Sequence, residues 1–416
     1  MGMVQGAFGL LVLIGIAFLF SENRRAVGIK PVAAALAVQF AIGAILMKFP
    51  GAQYVLLGLN HIVEALQKAT LAGTAFVFGY VGGGPAPFEV THPGAMFILA
   101  FQSIPLLLVI SALSALFFYW KILPKIVKAF AFLLTRSLGI GGPLGVVVSS
   151  NAFLGMIESP LVIRPYIASL TRSELFVMMT CAMSMIAGTV MVVYATFLQG
   201  TVPNPIGQLL TASLIAAPGS ILIGRVMVPE THAPTVGDVV PHDDYQSWMD
   251  AITKGTADGL KLVLAVVPML VVLIALVALF NFGLNVLPDF DGAPLTLQRL
   301  LGFIMAPVAW LMGIPWEHAG VAGGLLGTKI VLNEFIAYVD FTHIKDVAFD
   351  ERSKLIMTFA LCSFANFGSL GILIGALGTI APTRRAEIVE LGLRTILSGT
   401  LVSCMGGAIA GILTLV

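Results

Sequence analysis

"NAFLGMIESPLVIRPY" (residues 151–166) sets a carboxylate, Glu158, between an apolar run and a proline, in sequence otherwise composed for lipid. Gly155 can end a helix by adopting positive φ, and Ser159 suits the N-cap of a following helix. Pro160 then fits the first helical position, where its missing N–H costs nothing. The stretch reads as a half-helix, a break at 155–159 and a second half-helix. Inside a bilayer the backbone groups freed at such a break must line a cavity or be buried in protein. The N–H groups of one half-helix and the carbonyls of the other then suit a polar ligand or an ion. For Glu158 the plain alternative is pairing with an arginine such as Arg164. An ionisable side chain at bilayer depth is costly, however, and usually marks a pathway or a site.

The rest of the chain supports a membrane setting. Of 416 residues, 58% are hydrophobic and 10% charged, with a mean hydropathy of +1.00; soluble domains carry about 25% charged residues. The fold class expected is an all-α polytopic membrane protein. The first apolar stretch, Phe8 to Phe20, has no basic residue before it and is followed by Glu22 and Arg24, so it reads as a first span rather than a cleaved signal peptide. A net charge of +1 gives no sign of nucleic-acid binding. Cys181, Cys362 and Cys404 lie in apolar segments and suggest neither disulfides nor zinc, and the six histidines lack metal-ligand spacing. With no glycine-rich Lys-Ser/Thr loop for ATP, a primary pump is not expected. An intramembrane enzyme would need a Gly-x-Ser-x-Gly with a helical His, or paired aspartates on separate helices, and neither occurs.

Taking ~20 apolar residues per span, roughly eight spans are expected, near 5–20, 31–49, 95–119, 173–198, 205–226, 259–284, 354–380 and 388–414. The stretch 298–315 is either a further span or an interfacial helix. The segment 121–139 mixes Lys121, Lys125 and Lys128 with an apolar stripe and suits an interfacial amphipathic helix. The region 228–250 reads as a solvated connector. Basic residues at 24–30, 121–128, 225–254 and 384–385 fall on alternate loops, which the positive-inside rule makes cytoplasmic, leaving both termini outside.

A second segment, "GGLLGTKIVLNEFIAYVDF" (323–341), is also too interrupted to cross cleanly and also carries a central glutamate, Glu334. After the two broken segments come "SELFVMMTCAMSMIAG" (173–188) and "SKLIMTFALCSFANFG" (353–368), in which Ser173, Leu175 and Gly188 match Ser353, Leu355 and Gly368. Matched helices after broken, glutamate-bearing segments are the pattern of a transporter built from structural repeats. A continuous channel pore fits this pattern less well than occlusion between paired discontinuous helices. Asn366 and Ser369, three apart, share one helix face and could serve a site or hold helices together.

Together with "GIPW" (313–316), "LNEFIAY" (332–338), "SFANFGSLGI" (363–372) and "APTRR" (381–385), the opening stretch resembles the concentrative nucleoside transporter family, in order and over nearly the whole chain. The resemblance implies uptake of nucleosides across the inner membrane by cation symport, in a homotrimer whose protomers move by an elevator-type mechanism. It implies re-entrant hairpins at about 143–171 and 318–342, with an inverted-repeat transport domain. The organisation expected is scaffold helices at 1–120, a first transport half at 121–226, a loop and scaffold helix at 227–300, and a second transport half at 301–416. By position, Glu334, Asn366 and Ser369 would hold the ribose hydroxyls, with Phe364 beside the sugar, while Glu158 and Val190 would face the base. Asn151, with carbonyls near Leu154, Met185 and Ile186, would bind the coupling sodium. No cofactor is implied. The family usually carries Gln-Thr or Gln-Ser where Met156 and Ile157 stand, and commonly a serine where Met185 stands. These departures favour a less polar base or a modified nucleoside, and admit a proton in place of sodium.

Overall fold

The computed structural model describes residues 2–92, 96–237, 245–289, 292, 294–344 and 349–414, and every regular element among them is helical. Helix α1 (Gly2–Leu19) and α2 (Ile29–Lys48) are the first two spans. Then comes α3 (Pro50–Phe78), which begins on a proline at its first position. No span is expected there, because Asn60, His61, Glu64, Gln67 and Lys68 interrupt the apolar pattern. The third span is formed by α4 (Leu99–Gln102) with α5 (Leu106–Tyr119); residue 95, its expected start, lies outside the described residues. Helix α6 (Ile122–Leu138) is the expected amphipathic one: Val127, Ala131, Leu134 and Leu138 are buried along one stripe while Lys125 and Lys128 are exposed.

A series of short helices comes next: α7 (Gly142–Asn151), α8 (Glu158–Val162), α9 (Arg172–Ser184), α10 (Gly188–Phe197) and then the longer α11 (Pro205–Met227). Part of the 228–250 connector, residues 238–244, is outside the described residues, and its last three residues already belong to α12 (Trp248–Leu284). The same series then recurs as α13 (Leu297–Leu311), α14 (Trp316–Val331), α15 (Glu334–His343), α16 (Glu351–Leu361), α17 (Phe367–Ile380) and α18 (Arg385–Leu413). Element for element, α6–α11 correspond to α13–α18.

Two expectations are corrected. The spans read as continuous at 173–198 and 354–380 are each two helices, interrupted at 185–187 and 362–366. Apolar composition alone does not reveal these breaks, because no proline marks either. The 298–315 stretch, read as a span or an interfacial helix, is α13, which turns by 117° into α14, a turn permitted by Gly313 at φ +105°.

The two series run in opposite directions. Each contains Arg-Ser-x-Leu at the start of its broken helix, at Arg172 in α9 and Arg352 in α16. Arg172 pairs with Glu22, just after the end of α1 (2.8 Å), and with Glu390 at the start of α18 (2.6 Å). Arg352 instead donates to the carbonyls of Gly2, at the start of α1, and Gly411, near the end of α18. The same motif therefore sits at opposite ends of α1 and α18, as an inverted repeat requires. At the first end, hydrogen bonds from Arg172 and the charge of Arg394 hold the Glu22 carboxyl below its ordinary range.

Packing places α9, α11 and α18 at the centre, with α16 and α17 against α18. Helices α1 and α2 pack on α11 and α18, whereas α5 and α12 pair chiefly with each other. Gly255 and Gly259 of α12 lie so close to α5 that an added Cβ would meet the Ser111 carbonyl at 2.7 Å and Leu108 Cα at 2.9 Å.

Gly9 of α1 is buried where a Cβ would fall 1.7 Å from the Leu311 carbonyl oxygen at the end of α13, whereas nothing lies within 4 Å of a Cβ at Gly15. Gly9→Ala is expected to destabilise the purified protein by about 1–3 kcal/mol through overpacking, while Gly15→Ala leaves stability equal or slightly higher. Thermal unfolding in detergent measures both, and equal melting temperatures would refute the packing described.

Candidate functional site

In the first hairpin α7 ends at Asn151, and Gly155 turns the chain at φ +106°. A Cβ at Gly155 would meet the Ala187 methyl at 2.8 Å and Glu158 Oε2 at 3.1 Å, so glycine is required for space as well as conformation. The expected capping is corrected: the second half-helix opens at Glu158 with Ile157 as its cap residue, and Ser159 and Pro160 lie inside its first turn. Ser159 Oγ turns back instead, donating to Asn151 Oδ1 at 2.9 Å. In the second hairpin, Asn333 caps α15 by accepting from the Ile336 N–H (2.9 Å), which makes Glu334 the first residue of its half-helix. Both glutamates thus open the second arm of a hairpin, at a helix end that favours negative charge.

The four interruptions meet. Gly188 N–H, opening α10, donates to the Phe153 carbonyl in the first hairpin's break (3.2 Å), and Phe364 N–H donates to the Met185 carbonyl (3.3 Å). Asn366 then joins the last break. It caps α17 by accepting from the Ser369 N–H (2.7 Å), and its Nδ2 donates to Glu334 Oε2 (2.9 Å). Asn366 is therefore the cap of α17 rather than a member of its face, and it relates to Ser369 through that hydrogen bond.

Glu334 is buried, at 5% exposure. Its other oxygen, Oε1, accepts from the Tyr194 hydroxyl at 2.6 Å. Tyr194 is fixed in turn by rings: its centroid is 5.0 Å from Tyr338 and 5.8 Å from Phe335. A carboxylate offers about four lone-pair positions, so two remain for a ligand's hydroxyl groups. Phe364 and Ser369 are buried beside this cluster, and Val190 is half-buried one turn before Tyr194.

Glu158 stands differently. It is exposed, and it opens onto a cavity of about 380 Å³ lined also by Leu154, Ile157, Thr189, Ser111, Asp258 and Lys261. No pairing of Glu158 with Arg164 is formed. The far wall is α12, where Asp258 and Lys261 are 2.7 Å apart. Of the two residues that depart from the family pattern, Ile157 lines this cavity, whereas Met156 is buried in the apolar core.

The oxygens named for a coupling cation are only partly free. Asn151 donates through Nδ2 to the Cys181 carbonyl (3.0 Å) while its Oδ1 holds Ser159, and the Met185 carbonyl already takes Phe364 N–H. Each oxygen keeps a lone pair, so amide and carbonyl oxygens near Asn151, Leu154, Met185 and Ile186 fit a hard cation. The thioether of Met185 does not.

Two residues escape a reading of the sequence. Tyr194 lies four residues after Val190, on the same helix face, and that spacing is the one available signal. Lys329, five residues before Glu334, is completely buried; a lysine inside a glycine-rich apolar helix could have been singled out on cost alone.

Comparison with known proteins agrees with this architecture. The family patterns described as "Na+ dependent nucleoside transporter N-terminus" and "Na+ dependent nucleoside transporter C-terminus" match residues 8–81 and 208–411, and one described as "Nucleoside recognition" matches 100–201. The chain is 38% identical over 425 residues to the uncharacterized transporter YutK of Bacillus subtilis, covering 99% of each. It is 33% identical to nucleoside permease NupC of Helicobacter pylori, over 97% of this chain and 96% of that one. Among solved structures, CNTnw in an inward-facing substrate-bound state superposes with a TM-score of 0.90 at 34% identity, covering 99% of both chains. An end-to-end match in sequence, on the same helical fold, means that this chain belongs to the concentrative nucleoside transporter family, membrane permeases rather than enzymes.

Proposed function

We propose that the protein imports nucleosides across the inner membrane in symport with a cation, both termini facing outward. The observation that carries this reading is the Glu334 carboxylate, held by Tyr194 and Asn366 where four helix breaks converge. A ribose diol supplies two donors, and Glu334 has two lone-pair positions left for them. Asn366 and Ser369 complete the polar side, and Phe364 packs against the sugar. Glu158, Ile157 and Val190 meet the base. The moving body is the inverted repeat together with α1 and α2. It travels elevator-fashion against α3, α5 and α12, which in the homotrimer form the fixed centre. The glycine-mediated contact of α12 with α5 supports treating those two helices as one rigid wall. Counterflow of labelled uridine and adenosine in proteoliposomes, with and without sodium, tests the reading; no exchange of either nucleoside overturns it.

Sodium is the coupling ion favoured here, bound weakly because Met185 offers no side-chain oxygen to a cation that prefers oxygen ligands. The family description and the presence of Asn151 support it. A proton carried on Glu158 or Glu334 is the second reading, favoured by the commitment of Asn151 Oδ1 to Ser159. Uptake is expected to fall when choline replaces sodium. Uptake indifferent to that exchange but abolished by a protonophore would assign the proton instead.

Glu334→Gln replaces an acceptor-only group by an amide whose NH2 must face either the Tyr194 hydroxyl or the Asn366 amide. Uptake is expected to drop about 10- to 100-fold, the loss of one charge-assisted hydrogen bond or more, with expression unchanged. Tyr194→Phe removes one donor and should weaken uptake about tenfold or less. Near-normal transport by Glu334→Gln would take it out of the site.

At the base, Ile157 gives the Glu158 cavity an apolar neighbour where the family usually offers a polar one. Uridine, with its polar edge, is expected to be a poorer substrate than purine or modified nucleosides, since an unpaired polar edge costs about 1–3 kcal/mol. Because Met156 is in the core, Met156→Gln would bury an amide without partners, so Ile157→Thr alone is the informative change. It should improve uridine uptake relative to adenosine. An unchanged ratio in a competition assay would show that Ile157 does not touch the base.

A further inference from the structure

Lys329 lies in the last turn of α14 and is 0% exposed. Its Nζ donates to the Ala360 carbonyl (2.9 Å), Ser363 Oγ (2.9 Å) and Ser403 Oγ (3.0 Å), which uses all three of its protons. Among the described residues it forms no ion pair. The Glu334 carboxylate attracts it from a distance without touching it. Burying an ammonium with no carboxylate in contact is expensive even when its hydrogen bonds are satisfied, so an apolar side chain of the same volume would pack there at less cost. The place it occupies explains the charge. Ala360 and Ser363 bracket the end of α16, where carbonyls lose their helical partners and the helix dipole is negative.

The first repeat offers the control. There the last turn of α7 reaches the last turn of α9 in the same way, but through a neutral amide: Asn151 Nδ2 donates to the Cys181 carbonyl (3.0 Å). One break is braced by a neutral group and its counterpart by a fixed positive charge. Directly after Ser363 the chain carries Phe364, bonded to Met185, and then Asn366, bonded to Glu334.

We infer that Lys329 is a tethered cation that occupies the second repeat's break permanently and positions Phe364 and Asn366 toward Glu334. An exchangeable cation then has a place only at the first repeat's break, and Lys329 is a positioning residue for the Glu334 cluster. Because uptake is the readout, this rests on the proposed nucleoside transport: if the wild type carries no nucleoside, that reading has failed, whereas substitutions at Lys329 speak only to Lys329.

The test uses two substitutions in the full-length protein. Lys329→Met keeps the volume and removes the charge. Lys329→Ala opens a space that n-propylammonium, the missing part of the side chain, can fill. Lys329→Met is expected to lose about tenfold or more in uptake, comparable to removing a charge-assisted contact. Lys329→Ala, prepared and assayed with n-propylammonium, is expected to regain uptake and a higher melting temperature, while a neutral alcohol such as n-propanol or n-butanol restores neither. The wild type should respond to neither additive. Lys329→Met transporting within about twofold of wild type, rescue by the alcohol as effective as by the ammonium, or a Lys329→Ala protein that the ammonium restores neither in folding nor in uptake would each overturn the inference.

Discussion

A bilayer offers no hydrogen bonds to a backbone whose helix has stopped, and this constraint organises the molecule. Four helices stop inside it, and the groups they release are taken up largely by one another. The Phe153 carbonyl receives Gly188, the Met185 carbonyl receives Phe364, and Asn333 and Asn366 cap the helices that restart. None of these breaks could exist alone, because each leaves donors or acceptors that only its neighbours supply. The polar centre of the protein is therefore a consequence of the chain's architecture, and Glu334 is placed by that architecture through Asn366 before any substrate arrives.

The two repeats share a topology and differ in chemistry. Glu158 and Glu334 each open a second half-helix, yet one is exposed to a cavity and the other is enclosed by a tyrosine and an asparagine. A nucleoside is itself two-ended, with a sugar that presents the same hydroxyls in every member and a base that varies. On the proposed reading, a buried carboxylate held by two partners suits the invariant end, since its geometry is fixed. An exposed carboxylate with an adaptable surrounding suits the variable end.

How much of this is legible in the sequence depends on whether a feature has a local cause. The first hairpin's turn comes from Gly155, and the second from Asn333 before Glu334, so both hairpins can be read directly. The break at 185–187 has no such local cause, and the one at 362–366 has only the Asn366 cap inside an otherwise apolar run. Apart from Asn366 their residues are apolar or small, and the groups they free bond across the interior, Met185 with Phe364 and Asn366 with Glu334. Helix α3 is hidden because its polar residues obscure the apolar stripe. The packing of α1 on α13 is hidden because it depends on a close approach at Gly9 that no local pattern encodes. Met156 and Ile157, adjacent in sequence, part company because the chain is turning between Gly155 and Glu158, which sends one into the core and leaves the other at the cavity wall.

The length of α12 carries a consequence of its own. Its 37 residues rise about 55 Å, against a hydrocarbon core of about 30 Å. Asp250, Lys254, Asp258 and Lys261 occupy its first turns, and the apolar remainder, 262–284, still extends about 34 Å. The charged turns therefore project beyond the length that a hydrocarbon core can cover. The residues of α12 that wall the Glu158 cavity, from Gly255 to Leu262, lie on that charged part. Because Gly255 and Gly259 lock this part of α12 onto α5, the polar end of the helix reaches the cavity as a fixed wall, and the change from charged to apolar sequence at Leu262 falls at the cavity's edge.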